Sequence, residues 1–276
     1  MSRSSVLVCV LALCGGTAAH TQSSTAPTFE VASVKPNTLR QGIRWSRFPG
    51  DRFEATNVPV RDLIMIAYGE AGQLLPDVQM AGGPQWIDED RFDVTAKVGA
   101  GSPHSVAHKQ LMLRQLLEQR FKLAVHHETR ALPIFELVRT RKDGAIGPRL
   151  QHASVDCEAL LASQPDKRER CILYALPSGM LMLRGQTMGA FANALTQLLN
   201  RTVMDRTGLS GGFDADAQFD PKSLPGMLQL KPEELPPNDA GSLDTTLKEQ
   251  LGLKLESKRG PVTVLVIDRV EHPTEN

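Results

Sequence analysis

The pattern Gly208-Leu209-Ser210-Gly211-Gly212 contains the residue types of a serine nucleophile. A G-x-S-x-G sequence forms a nucleophile elbow when a strand precedes it and a helix follows, because that turn holds the serine exposed. Residues 201–204 can supply the strand, but residues 213–216 also have the pattern of a strand. A glycine-rich connection between two strands therefore explains the pattern without catalysis. A secreted hydrolase built around Ser210 is the alternative.

Asp205 begins a sequence similar to the Asp-Thr-Gly loop of aspartic proteases, but Arg206 interrupts it. Those enzymes need two carboxylates that share a proton. The equivalent place earlier in the chain, residues 81–83, has no acid. We interpret the segment as a turn in which Asp205 accepts hydrogen bonds from nearby backbone.

Histidines are the remaining candidates for metal binding. His104 and His108 have the i, i+4 spacing that places two side chains on one helical face, whereas His126 and His127 would point to opposite faces of a strand. Two imidazoles alone rarely form a metal site. The chain has no phosphate-binding, dinucleotide-binding or haem-attachment motif. We expect no catalytic residue, no metal site and no cofactor, and a His104/His108 metal site is the alternative.

The N-terminus has the order of features that export signals share. Arg3 precedes an apolar run at residues 6–13, and small residues follow at 17–19. The run is too short to span a bilayer, so the pattern predicts a secretory signal peptide over residues 1–19 and no membrane span after its removal. A lipoprotein signal ending at Cys14 is an alternative, although Leu13 is not the small residue normally found there.

Two cysteines, Cys157 and Cys171, remain after the predicted cleavage. An even number in an oxidising compartment favours a disulfide between them. Closing such a loop stabilises a fold by about 3 kcal/mol in the chain-entropy model. Metal ligation is the alternative, but the chain has neither a CxxC pair nor a nearby histidine to complete a site.

The charges balance, with 31 Lys and Arg against 31 Asp and Glu. The chain therefore has no net field that would attract nucleic acid, and we expect no nucleic-acid partner. With 276 residues and 41% hydrophobic residues, it can bury one large core or two smaller ones.

Three stretches of the sequence recur in the same order. The matching segments are 53–67 with 181–195, 91–96 with 212–217, and 127–134 with 255–262. The first and third matches have the same offset of 128 positions, so that Pro133 corresponds to Pro261. Chance matches would not keep this order and offset. The sequence therefore predicts an internal duplication.

Apolar spacing predicts the elements of each copy. Val60, Leu63, Ile64 and Ala67 fall on one helical face, as do Met188, Phe191, Ala192 and Leu195. Asn57 and Thr187 are the predicted helix caps. A second helix in each copy carries the apolar residues Met112, Leu113, Leu116 and Leu117, or Leu243, Leu247 and Leu251. A strand, a turn and another strand are predicted to close each copy.

The predicted fold class is α+β, with two tandem β-α-β-α-β-β repeats and helices on one face of a mainly antiparallel sheet. The predicted organisation is a leader at 1–19, an N-terminal segment with the first repeat at 20–140, a disulfide-bearing connection at 141–180, and the second repeat at 181–276. The charged run at 166–170 reads as a solvated face. The proline-rich residues 220–242 read as a surface loop.

Six segments resemble one exported family of unknown function that occurs in many paralogous copies in soil acidobacteria, the Solibacter-type paralogue family. They are FEVASVKPN at 29–37, GGPQW at 82–86, LLEQRFKL at 116–123, DRTGL at 205–209, EQLGLKL at 249–255 and VID at 266–268. Some relatives are joined to membrane-bound antirepressor metallopeptidases, and the resemblance therefore implies a role in the cell envelope.

Residues 57–63 and 186–191 resemble the start of the short periplasmic domains of secretins and TonB-dependent receptors. That resemblance implies binding of protein partners. We therefore expect a non-catalytic, periplasmic or extracellular module that binds an envelope protein or a small ligand. A hydrolase and a purely structural envelope protein remain alternatives.

Overall fold

The structure is a computed structural model that describes residues 26–38, 42–69, 74–141, 143–164, 171–175, 179–224 and 240–273. Four sequence predictions lie wholly or partly outside these ranges. They are the leader at 1–19, the lipid-anchor residue Cys14, the charged run at 166–170, and residues 225–239 of the proline-rich segment.

The described chain is a mixed α+β fold, as predicted. The strands are β1 (Val31–Asn37), β2 (Trp45–Arg47), β3 (Arg52–Pro59), β4 (Met80–Gly82), β5 (Arg91–Lys97), β6 (Ala124–Arg139), β7 (Leu150–His152), β8 (Ile172–Ala175), β9 (Met180–Gln186), β10 (Val203–Asp205), β11 (Phe213–Gln218) and β12 (Leu253–Arg269). The helices are α1 (Val60–Tyr68), α2 (Trp86–Glu89), α3 (Val106–Phe121), α4 (Cys157–Ser163), α5 (Met188–Leu199) and α6 (Leu243–Thr246), which continues as a π-helical turn (Leu247–Leu251).

The strands form three four-stranded sheets. The first has the order β1-β5-β3-β2 and the second has the order β7-β11-β9-β8. The third, in the order β10-β6-β12-β4, takes strands from both halves of the chain. Its two outer pairings, β10 with β6 and β12 with β4, are parallel, and the other strand pairings in the described residues are antiparallel.

Apolar spacing correctly identified the buried faces of the helices. Val60, Leu63, Ile64 and Ala67 of α1 are each fully buried, and the apolar residues predicted on α3, α5 and the α6 segment are also buried. The Thr187 side chain caps α5 by accepting a hydrogen bond from the backbone N–H of Ala190 (3.2 Å). Burying one apolar stripe fixes the rotation of each helix against its sheet.

The predicted closing hairpins are wrong, because each is one continuous long strand. β6 and β12 run antiparallel to each other along almost their whole lengths, with Leu132 opposite Gly260. The Pro and Gly residues that suggested turns lie inside these strands. Proline is tolerated where a strand lacks a neighbour on one side, and β10 pairs with β6 only at Phe135–Leu137, beyond Pro133.

The two long strands connect the two main hydrophobic cores. The first core packs α1 and α3 on residues such as Phe53 and Phe92, and β12 contributes Leu265 and Ile267 to it. The second core receives Leu137 from β6. Each core therefore contains residues from the other half of the chain. Within the described ranges, no helix combines the length and apolar character needed to cross a membrane.

Candidate functional site

The glycine-rich pattern around Ser210 does not form a nucleophile elbow. Ser210 is exposed in an irregular segment between β10 and β11, so a strand follows it where the elbow requires a helix. The neighbouring Asp205 forms the predicted turn. Its Oδ1 accepts hydrogen bonds from the backbone N–H and the hydroxyl of Thr207, both at 2.8 Å.

The alternative, a metal site formed by His104 and His108 on one helical face, does not fit the structure. Helix α3 begins at Val106 with Ser105 as its N-cap, so His104 lies before the helix. His126 instead faces Asp268 on the neighbouring strand, with Nδ1 at 2.8 Å from Oδ1. In the part of the chain that the structure describes, no three His, Cys, Asp or Glu side chains are grouped to hold a metal ion.

Cys157 and Cys171 form the predicted disulfide. Cys157 begins α4 and is buried, whereas Cys171 lies immediately before the edge strand β8. The bond therefore ties the beginning of β8 covalently to a helix. The Cys157 sulfur packs directly beside Gly185, since a Cβ added to that glycine would be 2.7 Å from it.

Asn57 occupies the same place in β3 that Gly185 occupies in β9, and it does not cap α1 as predicted. The N-cap is Pro59, and Asn57 lies at a bulge with a left-handed φ of 56°. Gly185 has a φ of 63°. An aspartate on the neighbouring strand fixes each bulge by accepting a hydrogen bond from the backbone N–H, Asp93 for Asn57 and Asp214 for Gly185. Only Asn57 has a side chain that can make further contacts.

The Asn57 side chain reaches the segment that leads into the edge strand β2. Its Nδ2 donates to the carbonyl of Gly42 at 3.2 Å, while its Oδ1 is buried and has no hydrogen-bond partner among the described residues. This hydrogen bond holds the segment that precedes β2, whereas a disulfide holds the residue that precedes β8. The hydrogen bond is the weaker of the two restraints, because one hydrogen bond contributes about 1 kcal/mol net.

β2 forms an outer edge of the first sheet, and its side chains are exposed. Trp45 is 38% exposed, and Ile43, which lies two residues before it in the segment that leads into β2, is 83% exposed, the largest value among the exposed large apolar residues of the described chain. β3 pairs with one side of β2, and β2 is the last strand in that sheet. The unpaired backbone groups of an edge strand are a template for pairing with another chain.

Two arginines flank Trp45, and each contacts an acid of the same half. Arg44 Nε lies 3.3 Å from Asp62 on α1, and Arg47 Nη2 lies 2.7 Å from Glu54 on β3. The Arg47 guanidinium also lies 4.9 Å from the Trp45 ring centroid, within the range of a cation–π contact. The edge therefore combines an exposed aromatic side chain with two arginines, each of which is paired with an acid.

Asp62 is a weakly stabilised anion. Burial raises the pKa of its carboxyl above the ordinary value of 3.8, although the Arg44 and Arg91 guanidinium groups act in the opposite direction. Arg91 Nη1 is buried without a hydrogen-bond partner in the described residues. The end of the first sheet beside β2 therefore contains polar groups whose interactions are incomplete.

The sequence predictions did not include this edge. The relevant signal is the alternation of residues 43–47, Ile-Arg-Trp-Ser-Arg, which is typical of an amphipathic strand. The segment is short, and it resembles no catalytic or metal-binding motif.

The chain was also compared with known proteins. No curated protein and no solved structure matches it. One family model matches residues 61–270, which is more than half of the 276 residues and includes both long strands and the second core. The chain therefore belongs to the family described as protein of unknown function (DUF3738).

Proposed function

We propose that this protein is an exported, non-catalytic binding module that takes up an extended segment of a partner protein along the edge of β2. The observation that carries the proposal is the exposure of Trp45 on that edge strand and of Ile43 in the segment that leads into it. Strand addition uses backbone hydrogen bonds for affinity and alternate side chains for specificity. Ile43 and Trp45 are two positions apart, which is the spacing at which side chains of an extended segment lie on the same face.

The corresponding edge of the second sheet supports the choice of β2. β8 follows Cys171 directly, so the disulfide restrains it. The segment before β2 is held by the Asn57–Gly42 hydrogen bond and has no covalent link of this kind in the described residues. Unequal restraint of two otherwise similar edges is expected when one edge is structural and the other binds.

A binding role also agrees with the positions of the candidate catalytic residues. Ser210 lies in a connection between strands, and the Asp205 carboxylate is engaged in a local turn. Replacing Ser210 with Ala tests the alternative: a hydrolytic activity that disappeared in this variant would favour a serine hydrolase over a binding module.

Export is supported by the leader pattern at residues 1–19 and by the disulfide. Disulfides persist in oxidising compartments and are rare in the cytosol. N-terminal sequencing of the protein recovered from the envelope tests this part of the proposal. A mature chain that began after residue 19 would support it, and retention of residues 1–19 in the cytosol would contradict it.

The two halves are, in our proposal, copies of one ancestral unit. The first sheet has the order β1-β5-β3-β2 and the second has the order β7-β11-β9-β8. The two orders are the same if β7, β11, β9 and β8 are the counterparts of β1, β5, β3 and β2. The long strands add a second argument, because Leu132 and Gly260 are 128 positions apart, the offset of the sequence repeat, and lie opposite each other. β4 and β10 complete the symmetry, since each pairs with the long strand of the other half.

Site-specific photocrosslinking tests the binding function. A photoreactive phenylalanine analogue replaces Ile43 in cells that export the protein, and a matched control carries it at Leu111, an exposed residue of α3. We expect a recurrent crosslinked partner from position 43, lost in the Trp45→Asp background, and none from position 111. Equal crosslinking from the two positions, or none from position 43, would overturn the proposal.

A further inference from the structure

The segment that leads into and forms β2 is strongly basic for its length. Residues 42–47 contain two arginines and no acid, although the whole chain has no net charge. We propose that the segment taken up at β2 is an acidic extended peptide, with one carboxylate at Arg44, another at Arg47, and an apolar side chain against Trp45. This inference rests on the binding function proposed above and specifies the chemistry of the partner.

Arg47 has the exposure and position needed to meet a ligand carboxylate. Its side chain is 63% exposed and lies over Trp45 while contacting Glu54. An exposed arginine–carboxylate pair contributes about 1 kcal/mol or less, so Glu54 does not prevent the guanidinium from accepting a second partner. The guanidinium offers five N–H donors, enough for both carboxylates.

Arg44 can exchange its present partner for a ligand. Its side chain is 55% exposed, and its contact with Asp62 is an ion pair to a partly buried carboxylate. Arg91 also acts on the Asp62 carboxylate, and its Nη1 has no hydrogen-bond partner in the described part of the chain. When Arg44 turns to a ligand, Asp62 therefore keeps a positive charge beside it.

The spacing of the arginines defines the sequence of the peptide. Side chains alternate between the two faces of a strand, so Arg47 shares a face with Trp45, while Arg44 points to the face where α1 carries Asp62. In a peptide that pairs antiparallel with β2, the residues opposite Arg47, Trp45 and Arg44 are positions i, i+2 and i+3 of the peptide. The preferred pattern is therefore acid, any residue, apolar residue, acid.

A peptide fits this edge better than an anionic membrane does. Recognition of anionic lipid by a basic segment uses clusters of about four to eight Lys or Arg side chains. Residues 42–47 provide two, each also paired with an acid. The outer backbone groups of β2, which have no strand partner among the described residues, can form hydrogen bonds with a peptide but not with a lipid surface.

The test measures peptide binding through Trp45 fluorescence in the mature chain. The sequence contains two tryptophans, so Trp86→Phe leaves Trp45 as the reporter. The probes are the peptide Thr-Glu-Thr-Val-Glu-Thr and its versions with both Glu replaced by Gln or by Lys. Since Trp86 stacks on His272, calorimetry with the unsubstituted protein repeats each titration.

We expect the Glu peptide to bind about tenfold or more tightly than the Gln peptide, a difference of about 1.4 kcal/mol, and the Lys peptide to bind more weakly still. Arg44→Gln should abolish most of the preference for Glu. Arg52→Gln is the matched control, because Arg52 has a similarly exposed side chain (52%) but lies outside β2, and it should keep the preference.

The other outcomes separate the inference from the proposed function. Equal affinity for the three peptides, each shifting Trp45 fluorescence, would overturn the acidic preference and leave strand addition standing. Binding of no peptide would overturn both. A Trp45 response to phosphatidylglycerol vesicles but to none of the peptides would replace the peptide with a membrane surface.

Discussion

The carboxylate of Asp93 accepts a hydrogen bond of 2.9 Å from the backbone N–H of Asn57, where the chain is in a left-handed conformation. Asp214 makes the same contact with Gly185 at 2.8 Å. Phe92-Asp93 and Phe213-Asp214 occupy matching places in the repeated segments 91–96 and 212–217, and the contacts explain why this dipeptide occurs in both. Its Phe is buried in a core, and its Asp fixes the bulge in the neighbouring strand.

Removing this carboxylate should therefore destabilise the fold. Asp93→Ala leaves the bulge N–H of Asn57 without its acceptor, and we expect a loss of about 1–3 kcal/mol in the free energy of unfolding. Asp216→Ala is the control, because Asp216 is exposed and pairs with Arg184 at the surface. Urea denaturation measures both, and equal losses in the two variants would contradict the role assigned to Asp93.

The two bulges should respond differently to substitution. Asn57→Gly removes the left-handed strain of about 1–2 kcal/mol and loses one hydrogen bond, so stability should stay within about 1 kcal/mol of the original. Gly185→Ala adds the strain and also brings a Cβ to 2.8 Å from the backbone oxygen of Val155. We expect a loss above about 2 kcal/mol for it, measured by thermal unfolding. A tolerated Gly185→Ala would show that this bulge is not formed.

Reduction of the disulfide should lower stability and loosen the edge that it restrains. Cys157 and Cys171 are separated by 14 positions, and opening a loop of this size costs about 3 kcal/mol in the chain-entropy model. Hydrogen exchange should increase first at β8 after a reductant is added. The variant with both cysteines replaced by Ser is the control, and it should not respond to the reductant.

Lys109 should be needed to hold the turn between β2 and β3. It is 2% exposed, and its Nζ donates to the carbonyl of Gly50 at 2.6 Å. Lys109→Met keeps the length of the side chain but leaves that carbonyl without its donor, so hydrogen exchange in residues 48–51 should rise by about tenfold or more. The exposed Lys97→Met is the control, and a similar rise in it would contradict the prediction.

Asp62 should make stability fall as pH rises. A carboxyl whose folded-state pKa is raised binds protons more tightly in the folded state, so the free energy of unfolding decreases between the ordinary pKa of 3.8 and the folded pKa. Arg44→Gln removes a charge that lowers this pKa and should raise it further. A carboxyl NMR titration measures the pKa directly, and a value below 3.8 in the unsubstituted protein would contradict the prediction.

Sequence alone identified α1 and α5 and their buried faces because their apolar residues recur with helical spacing, but it did not predict the short helices α2 and α4. It misidentified β6 and β12, since the Pro and Gly residues within them usually mark turns. Only the pairing of one long strand with the other, more than a hundred residues away, makes a continuous strand favourable. The sequence also did not predict the candidate site at β2, because the exposure of Ile43 and Trp45 depends on β2 lying at the end of a sheet.

The crossed pairing of the long strands constrains the order in which the chain can fold during synthesis. The first core takes Leu265 and Ile267 from β12, and β4 pairs with that same strand. A nascent chain that has reached residue 140 therefore holds all of its first half and still lacks part of that half's core. The first core can therefore be completed only after β12 has been synthesised and has paired with β4.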